Sequence, residues 1–269
     1  MREITPLNNI TGVTAGGTAS LSLPVNATYE KLHLAFSGVT ASQIKNIKVE
    51  INGRPLTEYA TLEDLLKENE YFKREKLAGY ATMHFARSEV RSPVKPDLVV
   101  ERFFGLGTAG VKLCQIKFDI DQDATAPVIK AYCEKAAPTP PSWLFKRRTF
   151  RMNLVEGINE IADLPRPVGA YIALIEIKHP NIKTSEFLVN NVKWRDNIPK
   201  ALHDHILKQN GRTPQAGIHA IDLMLDGDVF GGLMLDPLIN DMRLRLDAGE
   251  TAQAEVIVHY FDDYAKSSF

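Results

Sequence analysis

Short runs of alternating apolar and polar residues, one helical run in each half and a proline-rich joint at the midpoint predict an all-β protein. Its architecture is two tandem jelly-roll β-barrels (a double jelly roll), each with one short helix. The joint, Ala136-Ala137-Pro138-Thr139-Pro140-Pro141-Ser142, splits the 269 residues into expected domains 1–137 and 138–269. Its prolines can neither continue a helix nor donate to a sheet ladder. Similar elements follow in the same order on either side, the mark of a duplicated domain. Doubly wound α/β folds need helices alternating with strands throughout and are excluded.

Composition agrees with two ordinary cores. Apolar residues make up 44% and charged residues 24%, as in a folded globular chain, and the length suits two domains better than one. Lys plus Arg number 32 against 33 Asp plus Glu, so no global field holds nucleic acid or an anionic membrane. The opening residues lack the apolar core of a signal peptide, and no run is long and apolar enough for a membrane span; synthesis in the cytosol is expected. Cys114 and Cys133 form neither a disulfide framework nor a zinc pattern and are expected to be unbonded core residues. Asn26-Ala27-Thr28 has the form of a glycosylation acceptor without the secretory signal that would give it meaning.

In the first half, residues 18–23 alternate, residues 31–36 alternate again, and Ile47, Val49 and Ile51 share one face of a third strand. Asn52-Gly53 then marks a tight turn. Thr61 caps a helix over 61–69 with leucines at i, i+3 and i+4. Residues 87–110 read as a long loop carrying Pro93 and Pro96, with a strand fragment at 98–104. Gly105, Gly107 and Gly110 satisfy G-x-G-x-x-G, but the next residues alternate as a strand and open no helix, so dinucleotide binding is rejected.

The second half repeats this plan. Phe150, Met152 and Leu154 alternate, and strands are expected at 169–177 and 185–194. A second helix is expected with Pro199 at its first position, Leu202, Ile206 and Leu207 as its buried stripe, and Asn210-Gly211 as its stop. The helices align at a separation of 141, residues 65–69 with 206–210. Two closing hairpins align at 126, which sets Asp121 beside Asp247.

Several residue patterns have the form of chemistry. Two jelly rolls invite comparison with bicupin metalloenzymes, and His203-Asp204-His205 has H-x-H spacing. A cupin needs that pair on a strand, whereas a helix points residues two apart in opposed directions, so these read as surface histidines. A tandem β-sandwich carbohydrate-binding protein, the other alternative, would want exposed aromatic platforms, and only Trp143 and Trp194 are available. Lys146-Arg147-Arg148 with Arg151 reads either as a phosphate or headgroup contact or as the solvated face of a strand. Asp119, Asp121 and Asp123 surround one turn and Asp226 and Asp228 another. Oxygen-rich turns suit calcium, so Asp121, Asp123, Asp226 and Asp228 are its candidate ligands. Aspartate in turns also serves simply to cap its own backbone.

Residues 14–24, Thr-Ala-Gly-Gly-Thr-Ala-Ser-Leu-Ser-Leu-Pro, followed by Tyr29-Glu30-Lys31-Leu32-His33-Leu34, resemble the opening of corticovirus-type major capsid proteins. These coat tailless phages with an internal membrane around double-stranded DNA. The central joint and the helix in each half are similar to the double jelly-roll capsid lineage, and the resemblance spans the whole chain. It implies a structural capsid protein and no enzyme activity. It further implies a homotrimer of pseudo-hexagonal outline tiling an icosahedral virion shell, contacts with other virion proteins and with the internal viral membrane, and no direct nucleic-acid contact. It also implies structural calcium in the shell, without assigning ligands.

Overall fold

The computed structural model describes residues 2–91, 104–228 and 231–266. It comprises two compact units, Met1–Arg147 with Asp263–Ala265, and Arg148–Asp262 with Lys266–Phe269. The strand fragment expected at 98–104 lies, but for Phe104, outside the described residues.

In the first unit, β1 (Glu3–Pro6), β9 (Val128–Ala136), β3 (Thr28–Ser37) and β6 (Tyr80–His84) form one sheet in that order, with β7 (Leu106–Gly107) also paired to β3. The second layer runs β5 (Arg54–Thr61), β4 (Ile44–Ile51), β8 (Cys114–Ile120), β2 (Thr18–Ser22). Alternation places Ile47, Val49 and Ile51 inward, and the irregularity at left-handed Asn46, φ 52°, keeps Ile44 on the same side, with Leu21, Ile116, Phe118, Leu32 and Leu34 in one core. Asn52 and Gly53 take φ of 51° and 79° in the β4–β5 turn, the left-handed pair a two-residue hairpin requires. Helix α1 (Leu62–Tyr71) opens on a capping box in which Thr61 Oγ1 accepts from Asp64 N at 3.3 Å and Asp64 Oδ2 accepts from Thr61 N at 3.1 Å.

The second unit has the same topology. One sheet runs β10 (Trp143–Leu154, belonging to the first unit up to Arg147), β18 (Ala252–Asp263, whose last residue also belongs to the first unit), β12 (Tyr171–Lys178), β15 (Ile218–Asp222), with β16 (Leu233–Met234) paired to β12. The other runs β11 (Gly157–Ile161), β17 (Met242–Ala248), β13 (Ile182–Val189), β14 (Val192–Pro199), and helix α2 (Lys200–Gln209) follows. Each strand therefore has a counterpart, β10 standing where β1 stands and β14 where β5 stands.

The structural separation of the repeats differs from both expected values. The helix caps Thr61 and Pro199, the C-caps Phe72 and Asn210, and the left-handed Gly79 and Gly217 are all 138 residues apart. Both helices close with a left-handed residue, Lys73 or Gly211. Arg74 N then donates to Asn69 O at 2.8 Å, and Arg212 N to Leu207 O at 2.9 Å. A slip of three residues nearly preserves a helix face, so a separation of 141 keeps the same apolar residues aligned. Among the closing strands, Ile44 pairs with Ile120 and Ile182 with Ala248, which makes that separation 128 rather than 126. A slip of two preserves strand alternation. Asp247 accordingly corresponds to Asp119, not Asp121.

Other expectations are corrected as well. Residues 185–194 are not one strand but parts of β13 and β14, joined by Asn190 and Asn191 at φ 49° and 63°. The closing strands β8 and β9 do not pair with each other, nor do β17 and β18; each pair crosses from one layer to the other. Pro199 is the N-cap of α2, and its buried residues are His203 and Leu207, with Leu202 half exposed.

Candidate functional site

The proline joint is fastened to the first unit. Thr28 Oγ1 donates to Ala137 O at 2.8 Å and accepts from Thr139 N at 2.9 Å, while Ala109 N donates to Thr139 O at 2.9 Å. A Cβ on Gly107 would lie 2.5 Å from Pro140 O and 2.6 Å from Thr139 O. The middle glycine of the rejected dinucleotide motif is thus explained by close backbone approach. Thr108 completes the seam: its Oγ1 donates to Ala27 O at 2.7 Å and accepts from Ala27 N at 3.0 Å.

From this joint, residues 143–147 of β10 run over β5 and α1. Arg147 pairs in parallel with Thr57, and Thr57 Oγ1 donates to Phe145 O at 3.2 Å. Arg147 Nη1 donates to Glu58 O at 2.6 Å, with its guanidinium 4.6 Å from the Tyr59 ring centroid. Lys146 and Arg147 are both buried, so this part of the basic run is neither a solvated face nor a headgroup contact.

Beneath them lies an ionic cluster of residues distant in sequence. Glu68, on the buried face of α1, receives Arg87 Nη1 at 3.0 Å and the Tyr59 hydroxyl at 2.9 Å, with Arg74 at 3.5 Å and Arg147 at 3.9 Å. Glu89 lies 2.6 Å from Arg87 Nε and accepts from Arg74 Nη2 at 3.0 and 3.1 Å. Arg87 also stacks 3.9 Å from the Phe145 ring centroid. Burial would raise the Glu89 carboxyl, but Arg74 and Arg87 hold it down to about 2. Burial, then the Glu68 charge, pushes the Tyr59 hydroxyl well above its usual range. Burial and the nearby Arg74 depress His84 to about 2. Each charged group here is spent on another, so the cluster clamps rather than reacts. Spacing gave no signal for it, since its members come from α1, the two segments flanking β6, and β10. The one hint was Glu68 placed three residues after Leu65 on the apolar helix face.

The carboxylates of the acidic turns are held by groups of their own unit. Asp119 accepts from Thr18 Oγ1 at 2.7 Å and Asn46 Nδ2 at 2.8 Å; Asp121 pairs with Lys45 and accepts from Asp123 N at 3.0 Å. Asp226 Oδ1 accepts from Asp228 N at 3.0 Å. Among the described residues no group of three or more His, Cys, Asp or Glu side chains is gathered around one point. Asp121 and Asp123 share a turn and Asp226 and Asp228 share another, each as a backbone cap.

The H-x-H histidines lie on α2. His203 is not a surface residue: it is buried 4.7 Å, centroid to centroid, from His219, whose Nε2 is 2.8 Å from Ser185 Oγ. Burial lowers His203 to about 4 and His219 to about 3. Their counterparts 138 residues earlier are Leu65, Ala81 and Ile47, all in the first core. This trio is a polar replacement for an apolar plug of the first core. Cys114 and Cys133 are free and buried, and burial raises the Cys114 thiol to about 12.

Comparison with known proteins adds to this geometry. Residues 4–136 match the model of the viral coat protein P2 N-terminal domain, and residues 144–264 that of its C-terminal domain. The chain is 46% identical over 269 residues to the major capsid protein P2 of Pseudoalteromonas phage PM2, with 100% of both chains covered. The crystal structure of that protein superposes with a TM-score of 0.98. Two viral shells share the fold at low identity. The structure of Sulfolobus Turreted Icosahedral Virus has a TM-score of 0.67 at 11% identity, covering 97% of this chain and 90% of that one. The PBCV-1 virus capsid has a TM-score of 0.65 at 9%, covering 97% and 93%.

Proposed function

We propose, for a chain that belongs to the viral coat protein P2 family and is a capsid protein of a phage virion, that its working unit is a homotrimer of pseudo-hexagonal outline. Trimers of this kind tile an icosahedral shell over an internal membrane. The observation that carries the reading is the repeated topology: two units with one strand order give six like barrels around a threefold axis, and cyclic symmetry closes the tile. The role is structural rather than catalytic, since the most charged buried site in the first unit is engaged with itself. Other virion proteins and the membrane are its further partners, and no direct contact with the genome is assigned.

Calcium belongs to this reading as an ion of the assembled shell. A calcium ion takes six to eight oxygen ligands, and each acidic turn supplies two or three carboxylates; a neighbouring subunit must complete the set. Light scattering tests the tile: a species of three times the 30.0 kDa chain mass is expected. A monomer at every concentration, or an absence of shell-like assemblies in electron micrographs of source material, overturns the reading.

A further inference from the structure

The two units bury equivalent elements unequally. Strands β5 and β14 both leave a left-handed asparagine turn and run into a helix. Leu56, Thr57 and Tyr59 of β5 are buried, whereas 138 residues on Trp194 and Asn197 are exposed and Arg195 is half-buried. Helix α1 buries Leu62, Asp64, Leu65, Glu68, Asn69 and Tyr71; α2 buries His203 and Leu207. The difference has a visible cause in the first unit, where residues 143–147 lie along β5 and reach Glu68. Among the described residues β14 pairs with β13 and nothing else, leaving an open edge beside exposed Val192, Trp194 and Leu202.

The segment that covers β5 is the start of β10, the leading strand of a jelly roll. Its counterpart is β1, the leading strand of the other, which lies at a sheet edge with Ile4 74% exposed. Arg195, in the position of Thr57, donates to the carbonyls of Trp194 and Asp222 and has no carboxylate partner among the described residues. Glu3 on β1 is largely exposed and meets Lys135 at 3.2 Å.

We propose that β14 and α2 form a docking edge for the leading strand β1 of a second copy of this chain, with Glu3 of that copy brought to Arg195. The contact is heterologous: each chain offers β14 to one neighbour and β1 to the other, which closes as a ring. This rests on the trimer reading and names the surface that makes the trimer.

The test introduces Glu3→Cys and Arg195→Cys together, against native cysteines that are buried, and treats the protein with oxidant or a short thiol cross-linker. Covalent dimers and then covalent trimers that grow no further are expected, because a head-to-tail ring of three closes through one kind of pair. In parallel, Glu3→Arg is expected to weaken trimers about tenfold and Arg195→Glu to restore them in the double variant. Trp194→Glu is expected to release monomers whose melting is unchanged. A wild-type monomer at all concentrations overturns the trimer itself. A wild-type trimer that neither cross-links through these positions nor responds to Trp194→Glu and the charge exchange overturns this docking edge and leaves the trimer standing.

Discussion

Glu176 and His259 form a buried cross-strand pair, Oε2 to Nε2 at 2.8 Å, at the place where the first unit has His33 and Glu134 at 3.3 Å with the two residue types exchanged. The diagonal is the same in both: Glu176 lies opposite Ile257 and His259 opposite Leu174, as His33 lies opposite Tyr132 and Glu134 opposite Lys31. What the repeat preserves here is the interaction and not the letters. Glu176→His or His259→Glu alone puts two like groups together in the interior and is expected to cost about 3 kcal/mol. The double exchange is expected to recover most of that in urea unfolding; a double variant no better than the singles would show that the pair is not interchangeable.

Arg74 and Arg212 are likewise equivalent, each buried just beyond its helix. Arg212 Nε donates to Asp222 Oδ2 at 2.8 Å, and Asp222 is 2% exposed. Truncation to Arg212→Ala takes the cation away from that buried carboxylate and is expected to destabilise by about 3 kcal/mol. Arg212→Ala combined with Asp222→Ala should cost less than the single change, which denaturant midpoints can decide.

His203 and His219 predict acid sensitivity. Both have native values below that of an unfolded histidine, so between about pH 6.5 and their values of about 4 and about 3 the unfolded chain binds more protons. Stability is therefore intact above about 6.5 and falls as the pH drops, by roughly 2 to 3 kcal/mol for each histidine near pH 4.5. Replacing the trio with its first-unit counterparts, Ser185→Ile, His203→Leu and His219→Ala, should flatten melting temperature against pH over that range. An unchanged slope would place the sensitivity elsewhere.

Gly107→Ala drives a methyl group into the backbone of the joint and is expected to cost roughly 2 kcal/mol or more. Gly110→Ala meets no atom but has φ of 74°, so strain alone acts there, at about 1 kcal/mol. Equal effects in thermal melts would mean that the joint yields at Gly107.

Chelation separates fold from assembly. Since Asp121 and Asp226 are satisfied as turn caps within one chain, removing calcium should leave the melting of isolated protein unchanged and loosen assembled shells. Asp121→Asn with Asp123→Asn, or Asp226→Asn with Asp228→Asn, identifies the turn concerned by abolishing that response. Shells indifferent to chelator and to both pairs of changes would leave the turns as caps only.

The sequence by itself determined the fold class, the two units, both helices and most strands, because these follow from local periodicity and turn chemistry. Thr61 caps, Asn52-Gly53 turns, and inward residues recur every second position whatever they face. It also carried the family, through the run at residues 14–34. Tertiary structure alone decided the pairing. Slips of two on a strand or three on a helix keep the same face buried, so the repeat register was fixed only when Ile44 met Ile120 and Ile182 met Ala248. It decided too that His203 is core, and that Glu68, Arg74, Arg87, Glu89 and Arg147 converge. Burial of a polar side chain depends on what the rest of the chain lays over it. β5 is covered by residues 143–147, whereas among the described residues β14 pairs with β13 alone, although both strands hold the same place in one design.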